Sequence, residues 1–163
     1  MHRVTLLTGS NDADARAILE RTAVLLAERI GPQVSASQIY GSAPWGFKAE
    51  RCFLNQALSF ETALTPIEVL DAALGVEQEM GRRREEEVRE KLSTGERYAS
   101  RVVDVDVMFY DSEIIRSERL SVPHPLLHLR EFALRPLCEI MGDFVHPVLG
   151  KRLKDIDPEE GEL

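Results

Sequence analysis

The sequence predicts an α+β fold in the element order β-α-β-β-α-β, and three observations carry that prediction. Short apolar segments of strand length alternate with two amphipathic stretches of helical period. Gly/Pro punctuation separates them at Gly31-Pro32 and Gly41 to Gly46. The chain of 163 residues suits one domain, with 44% hydrophobic and 29% charged residues.

Taken in order, Val4 to Thr8 reads as a buried strand. Gly9-Ser10-Asn11-Asp12 is a turn with helix-capping chemistry, because Ser, Asn and Asp side chains satisfy the first free N–H groups of a helix. From Ala13 to Ile30 the apolar residues recur at helical spacing, and Gly31-Pro32 ends the helix. Val34 to Tyr40 is a second strand and 41–47 a loop. Phe53 to Glu61 is a third strand, with Phe53, Asn55 and Ala57 on one face and Leu54, Leu58 and Phe60 on the other.

Thr65-Pro66 opens a second helix that runs to Met80, with Gly81 as its stop. A mobile loop is expected over about 82–100, where no apolar period is sustained. Arg101 to Tyr110 is a fourth strand, apolar on both faces as in a central strand. Ile114-Ile115 and Leu120 to Val122 are short strand-like pieces, Pro125 to about Met141 forms short helices, and the acidic tail over about 156–163 is frayed. This order is that of the split βαβ, ferredoxin-like core, with helices on a mainly antiparallel sheet and a helical C-terminal addition.

Composition excludes some functions. A net charge of −8 argues against broad nucleic-acid binding, which requires a basic surface. No apolar run approaches the length of a membrane span. Cys52 and Cys138 lack metal-ligand spacing and are expected as reduced, partly buried thiols in a cytoplasmic protein. Basic residues concentrate between Arg82 and Arg101, where seven Lys/Arg face five Glu. A small anionic substrate could be met there.

The sharpest anomaly is Val102-Val103-Asp104-Val105-Asp106-Val107. Two carboxylates interrupt an otherwise apolar strand, on one face and about 6–7 Å apart. Paired like charges are costly unless a cation neutralises them, and an oxygen-only donor set favours Mg²⁺, which commonly also binds substrate phosphates. Two aspartates at a wet sheet edge, or paired with arginines, would read the same way. Arg84 and Arg101 flank this region, and guanidinium groups match phosphate oxygens. Phe53 and Asn55 share a strand face, so one could stack on a planar heterocycle while the other reads its edge; plain core and surface roles are the simpler account. His124, between Pro123 and Pro125, is held rigidly, whereas His2, His128 and His146 have no such setting and read as incidental.

Together these segments resemble the 6-hydroxymethyl-7,8-dihydropterin pyrophosphokinase family of folate biosynthesis. The resemblance rests on Gly9-Ser10-Asn11, Ser42 to Gly46, Phe53-Leu54-Asn55, Glu77 with Gly81 to Arg84, Arg101-Val102-Val103-Asp104-Val105-Asp106, and Val122 to Pro125 with Arg130-Glu131-Phe132. It implies transfer of diphosphate from the co-substrate ATP to the hydroxymethyl group of the pterin, with release of AMP. It further implies two Mg²⁺ on Asp104 and Asp106, with Arg84 and Arg101 as catalytic cations. Glu77, Arg84, Arg101, Arg119, Ser121, His124 and Arg130 would surround ATP, and Ser42, Ala43, Trp45, Phe53, Asn55 and Phe132 the pterin. The partners so implied are small molecules, with neither nucleic acid nor membrane, and a monomer is expected. The sequence departs from the family in its Glu85-Glu86-Glu87 run, in Tyr98 where tryptophan is common, in Ser42-Ala43-Pro44, and in Phe53 where tyrosine is frequent. The competing reading is a regulatory module that binds nucleotide or pterin without catalysis.

Overall fold

The computed structural model describes residues 1–42, 53–92, 102–125 and 131–157, with the backbone alone at Ser42, 82–92 and Glu131. Strand β1 (His2–Ser10) is followed by α1 (Ala15–Ile30), β2 (Gln33–Ala36), β3 (Tyr40–Ser42) and β4 (Phe53–Thr62). Then come α2 (Pro66–Leu92), β5 (Asp104–Tyr110), the two-residue strands β6 (Ile115–Arg116) and β7 (Ser121–Val122), and α3 (Glu131–Met141). The main sheet runs β2-β4-β1-β5, with β3 also paired to β4, and every pairing is antiparallel. The predicted α+β architecture and its ferredoxin-like strand order are therefore present, with β6 and β7 as a separate hairpin.

The sheet is covered on both faces. Val4, Leu6, Leu58, Phe60, Val105 and Val107 pack against Leu19 and Leu26 of α1 and Val69 and Val76 of α2. Leu7, Ala57 and Phe109 pack on the opposite face against Leu134 and Leu137 of α3 and Leu153 of a short 3-10 turn. Each fully buried large side chain contributes about 1.5–3 kcal/mol, so both faces are needed. A bulge in the β1–β5 ladder, where pairing jumps from Thr5–Phe109 to Leu6–Val107, places Met108 and Phe109 with the second core.

Several expectations from the sequence change. The single strand over Val34 to Tyr40 is two strands, because Ser37 turns in to bond Ala57: its N–H donates to the Ala57 carbonyl and its Oγ accepts the Ala57 N–H, both at 2.9 Å. The turn after β1 does not cap α1 through the N-cap side chain. Ser10 Oγ donates instead to the Val102 carbonyl at 2.7 Å, and Asp12 accepts the Asp14 N–H at 3.0 Å. Gly31 does end α1, and a Cβ there would lie 2.0 Å from the Glu61 carbonyl oxygen.

Helix α2 starts as predicted, with Thr65 and Glu68 exchanging side-chain and backbone bonds in a capping box. It does not stop at Gly81. The helix continues to Leu92, taking up 82–92 of the expected loop, while 93–100 lie outside the described residues. Glu, Arg and Lys are strong helix formers, and the glycine costs only about 1 kcal/mol. Strand β5 is an edge strand rather than a central one; helices over both faces explain its apolar residues on both faces. Of the C-terminal segment expected as short helices, 131–141 form α3, with Pro136 inside it; 126–130, and residues 158–163 of the tail, lie outside the described residues. His2 and His146 both have structural partners. His2 Nδ1 bonds Asp111 at 2.6 Å, while His146 is buried and its Nδ1 accepts the Val148 and Leu149 N–H groups at 3.1 Å. Among the described residues no helix is long and apolar enough to cross a membrane.

Candidate active site

The C-terminal end of β1 meets the beginnings of β4 and β5, and the antiparallel registers align their side chains in rows. Gly9 is opposite Asn55 on one side and Asp104 on the other; Leu7 is likewise between Ala57 and Asp106. Tyr40 of β3 extends the first row beyond Asn55, and Ser42 pairs with Phe53. Since Leu7 and Ala57 belong to the second core, Phe53, Asn55, Asp104 and Asp106 all lie on the face covered by α3. Their row is the polar end of that face, beyond the apolar contacts of Leu134 and Leu137.

Gly9 keeps this row open. A Cβ built on it would fall 2.6 Å from Asn55 Oδ1, so the Asn55 side chain crosses the glycine toward β5. Asn55 itself is only 4% exposed. Sequence reasoning treated Gly9 as part of a turn; the usable signal was a glycine inside a strand, which marks a close approach.

Asp104 and Asp106 are both half-buried. Between them the Val105 N–H points away from β1, off the sheet edge, and donates to Glu77 Oε2 of α2 at 2.7 Å. An edge strand otherwise presents unpaired backbone groups. Glu77 thus closes the β5 edge between the two aspartates, an engagement that sequence reasoning did not foresee. On the same edge the His124 N–H donates to the Met108 carbonyl at 3.0 Å, hanging the segment after β7 on β5.

Ser121 and His124 line a groove of about 840 Å³ together with Arg116, Glu118 and His146; neither Asp104 nor Asp106 lines it. Arg119 is exposed and pairs with Asp71 of α2. Phe132, in the first turn of α3, is 39% exposed. The structure therefore gathers Phe53, Asn55, Asp104 and Asp106, sets Glu77, Ser121 and His124 around β5, and pairs Arg119, between β6 and β7, with Asp71 of α2. Ala43, Trp45, Arg101 and Arg130 lie outside the described residues, as do the side chains of Ser42 and Arg84.

The donor set at Asp104 and Asp106 is composed of carboxylate oxygens on one face, which fits a hard cation. Among the described residues, the one group of three His, Cys, Asp or Glu side chains whose ligand atoms all lie within 4.8 Å of one another is His2, Asp111 and Glu113, at the other end of β1. Mg²⁺ is commonly held by one or two carboxylates, with water and substrate phosphates completing its shell, so a two-carboxylate site suits it.

Fold and site together define an α+β domain of ferredoxin-like topology whose sheet ends in a polar, carboxylate-bearing face. Residues 5–142 match the family described as 7,8-dihydro-6-hydroxymethylpterin-pyrophosphokinase (HPPK), and the chain belongs to that family. It is 36% identical over 159 residues to the 2-amino-4-hydroxy-6-hydroxymethyldihydropteridine pyrophosphokinase of Aquifex aeolicus, covering 98% of this chain and 92% of the relative. Its identity to the enzyme of that name from Methylorubrum extorquens is 38% over 146 residues, covering 89% and 86%. The crystal structure of Plasmodium falciparum HPPK-DHPS wild type with SDX-DHP superposes with a TM-score of 0.70 at 14% identity. That match covers 99% of this chain but 44% of the other, so the chain spans less than half the length of that structure and shares its fold there.

Proposed function

We propose that the face bearing Asn55 and Asp104 is where the chain transfers the diphosphate of ATP to 6-hydroxymethyl-7,8-dihydropterin, releasing AMP. Membership of the pyrophosphokinase family gives the reaction. The observation that carries the site is the row Asn55–Gly9–Asp104, which puts an amide and a carboxylate on the two strands that flank β1, with only a glycine between them. Strands lie about 4.8 Å apart, so the row spans about 10 Å, the scale of a bicyclic ring with its hydroxymethyl arm.

In this reading Asn55 bonds the edge of the pterin, and Phe53 and Phe132 supply its aromatic walls, with Ser42, Ala43 and Trp45 completing the pocket. Asp104 and Asp106 hold two Mg²⁺. The bound ions would neutralise charge on the phosphate oxygens and help to align the attacking hydroxyl. Glu77 keeps the aspartate strand in register through the Val105 N–H. The hydroxymethyl oxygen forms the new bond to the β-phosphorus, the bridge to the α-phosphate breaks, the hydroxyl proton is lost, and AMP departs. Arg84 and Arg101 stabilise the charge that develops, and Arg119, Ser121, His124 and Arg130 surround the nucleotide. Arg119 would exchange Asp71 for phosphate on binding. Positioning and charge stabilisation carry such a transfer without a dedicated protein base.

The test is product analysis with ATP, Mg²⁺ and the pterin alcohol. AMP and pterin diphosphate should appear together; ADP in place of AMP would overturn diphosphate transfer. Asp104→Ala and Asp106→Ala should each lower kcat by at least about a hundredfold, the scale of losing a principal charge-stabilising group, with far-UV circular dichroism unchanged. Full activity in the double variant would remove the metal assignment.

A further inference from the structure

We propose that Glu139 is a positioning residue for pterin recognition, fixing the distance between the sheet face that carries Asn55 and the helix that carries Phe132. The proposal rests on the reading of that face given above. Glu139 lies on α3 seven residues after Phe132, which is two helical turns and the same side of the helix, about 10 Å along its axis. Whatever holds Glu139 to the sheet therefore also sets where Phe132 stands over it.

Glu139 is held by both carboxylate oxygens. Oε1 accepts the Tyr40 hydroxyl at 2.5 Å, and Oε2 accepts the Gln38 N–H at 2.9 Å. Tyr40 is the strand partner of Asn55, and the next strand position but one, Ser42, is the partner of Phe53. One turn before Glu139, the Arg135 guanidinium stands 5.5 Å from the Tyr40 ring centroid. The proton on Tyr40 is retained more strongly than usual, chiefly because its hydroxyl donates to Glu139.

The location matters because the link between β2 and β3 leaves the ladder around Ser37. Beyond that point Glu139 supplies an acceptor to the Gln38 N–H that the neighbouring strand does not. Glu139 is exposed, but it does not hold a single partner. Here one side chain joins β3, its approach and α3, at the strand position beside the ring-reading amide.

The experiment compares Glu139→Ala, Glu139→Gln and Tyr40→Phe in steady-state assays with each substrate varied, together with thermal melts and pterin titration in a non-hydrolysable ATP analogue. Glu139→Ala should raise KM for the pterin alcohol about five- to tenfold while kcat and KM for ATP stay within about twofold, as expected for lost binding shared by ground and transition states. Glu139→Gln retains an acceptor for the Gln38 N–H and a partner for the Tyr40 hydroxyl, and should recover wild-type KM to within about twofold. Tyr40→Phe removes one hydroxyl and should fall between them, which keeps the test decisive if Glu139→Ala fails to fold. An unchanged pterin KM in Tyr40→Phe and Glu139→Ala, or an equal rise in both KM values, overturns the positioning role. Asn55→Ala separates the two levels. If it leaves pterin affinity intact, the reading of the face falls and this inference with it; if it abolishes binding while the Glu139 variants bind normally, this inference alone falls.

Discussion

At the scale of the residue, Gly9 shows how little space the face bearing Asn55 has to spare. Its missing side chain lets Asn55 Oδ1 approach to a point 2.6 Å from where a Cβ would be. Gly9→Ala must push Asn55 aside or move β4, and overpacking of this kind costs about 1–3 kcal/mol. We expect a lowered melting temperature and weaker pterin binding, with ATP binding in Mg²⁺ kept; calorimetric titration of both ligands checks it. Unaltered pterin affinity would mean that Asn55 does not need its position over Gly9. The paired aspartates stood out at this scale because carboxylates at alternate positions of an apolar strand need a reason. Gly9 did not, since a glycine before Ser-Asn-Asp reads equally well as a turn.

At the scale of the element, α2 differs most from expectation. Its capping box at Thr65 and Glu68 was readable from local chemistry, but its end was not. Gly81 sits inside the helix with nothing within 4 Å of where a Cβ would be. Gly81→Ala should therefore stabilise the chain by about 0.5–1 kcal/mol, by restricting the unfolded backbone at a site with room for the methyl group. A thermal melt decides it, and destabilisation would show that the helix does not run continuously to Leu92. Strand β5 makes a related point. Its apolar residues on both faces described helices over both faces, not strands on both sides, because the pattern reports which faces are buried and says nothing of backbone neighbours. The Glu77 bond to the Val105 N–H supplies what a neighbouring strand would have given at that position.

At the scale of the whole molecule, Asp111 ties the edge strand β5 to β1 at the end of the sheet remote from Asp104. Its carboxylate accepts the Arg3 N–H at 2.8 Å and bonds the His2 ring at 2.6 Å, so the end of β5 is tied to the start of β1. Burial works against its charge, but the Arg3 N–H, the His2 bond and nearby positive charge outweigh it, leaving the carboxyl below its ordinary range. A carboxyl lowered in the folded state contributes stability that is present above its unfolded value of about 3.9 and is lost as pH falls through the folded value. Stability should therefore decline below about pH 4, and Asp111→Asn should flatten that acid limb. Denaturant midpoints measured from pH 2 to 6 test this; identical slopes in both proteins would exclude Asp111 from the acid response.

The sequence by itself determined the order of elements, the faces that Phe53 and Asn55 share, the carboxylate pair, and the family resemblance, because each depends on local period or on residue types in a short motif. Only the tertiary structure decided which strands are neighbours, and so that Asn55, Gly9 and Asp104 form one row although they are far apart in the chain. It also decided that Glu77 closes the edge of β5 and that Glu139 grips Tyr40 and Gln38. Those contacts join residues separated by 28 to 101 positions. Register and helix docking set them, and both come from packing two apolar faces at once, which no single segment of sequence contains.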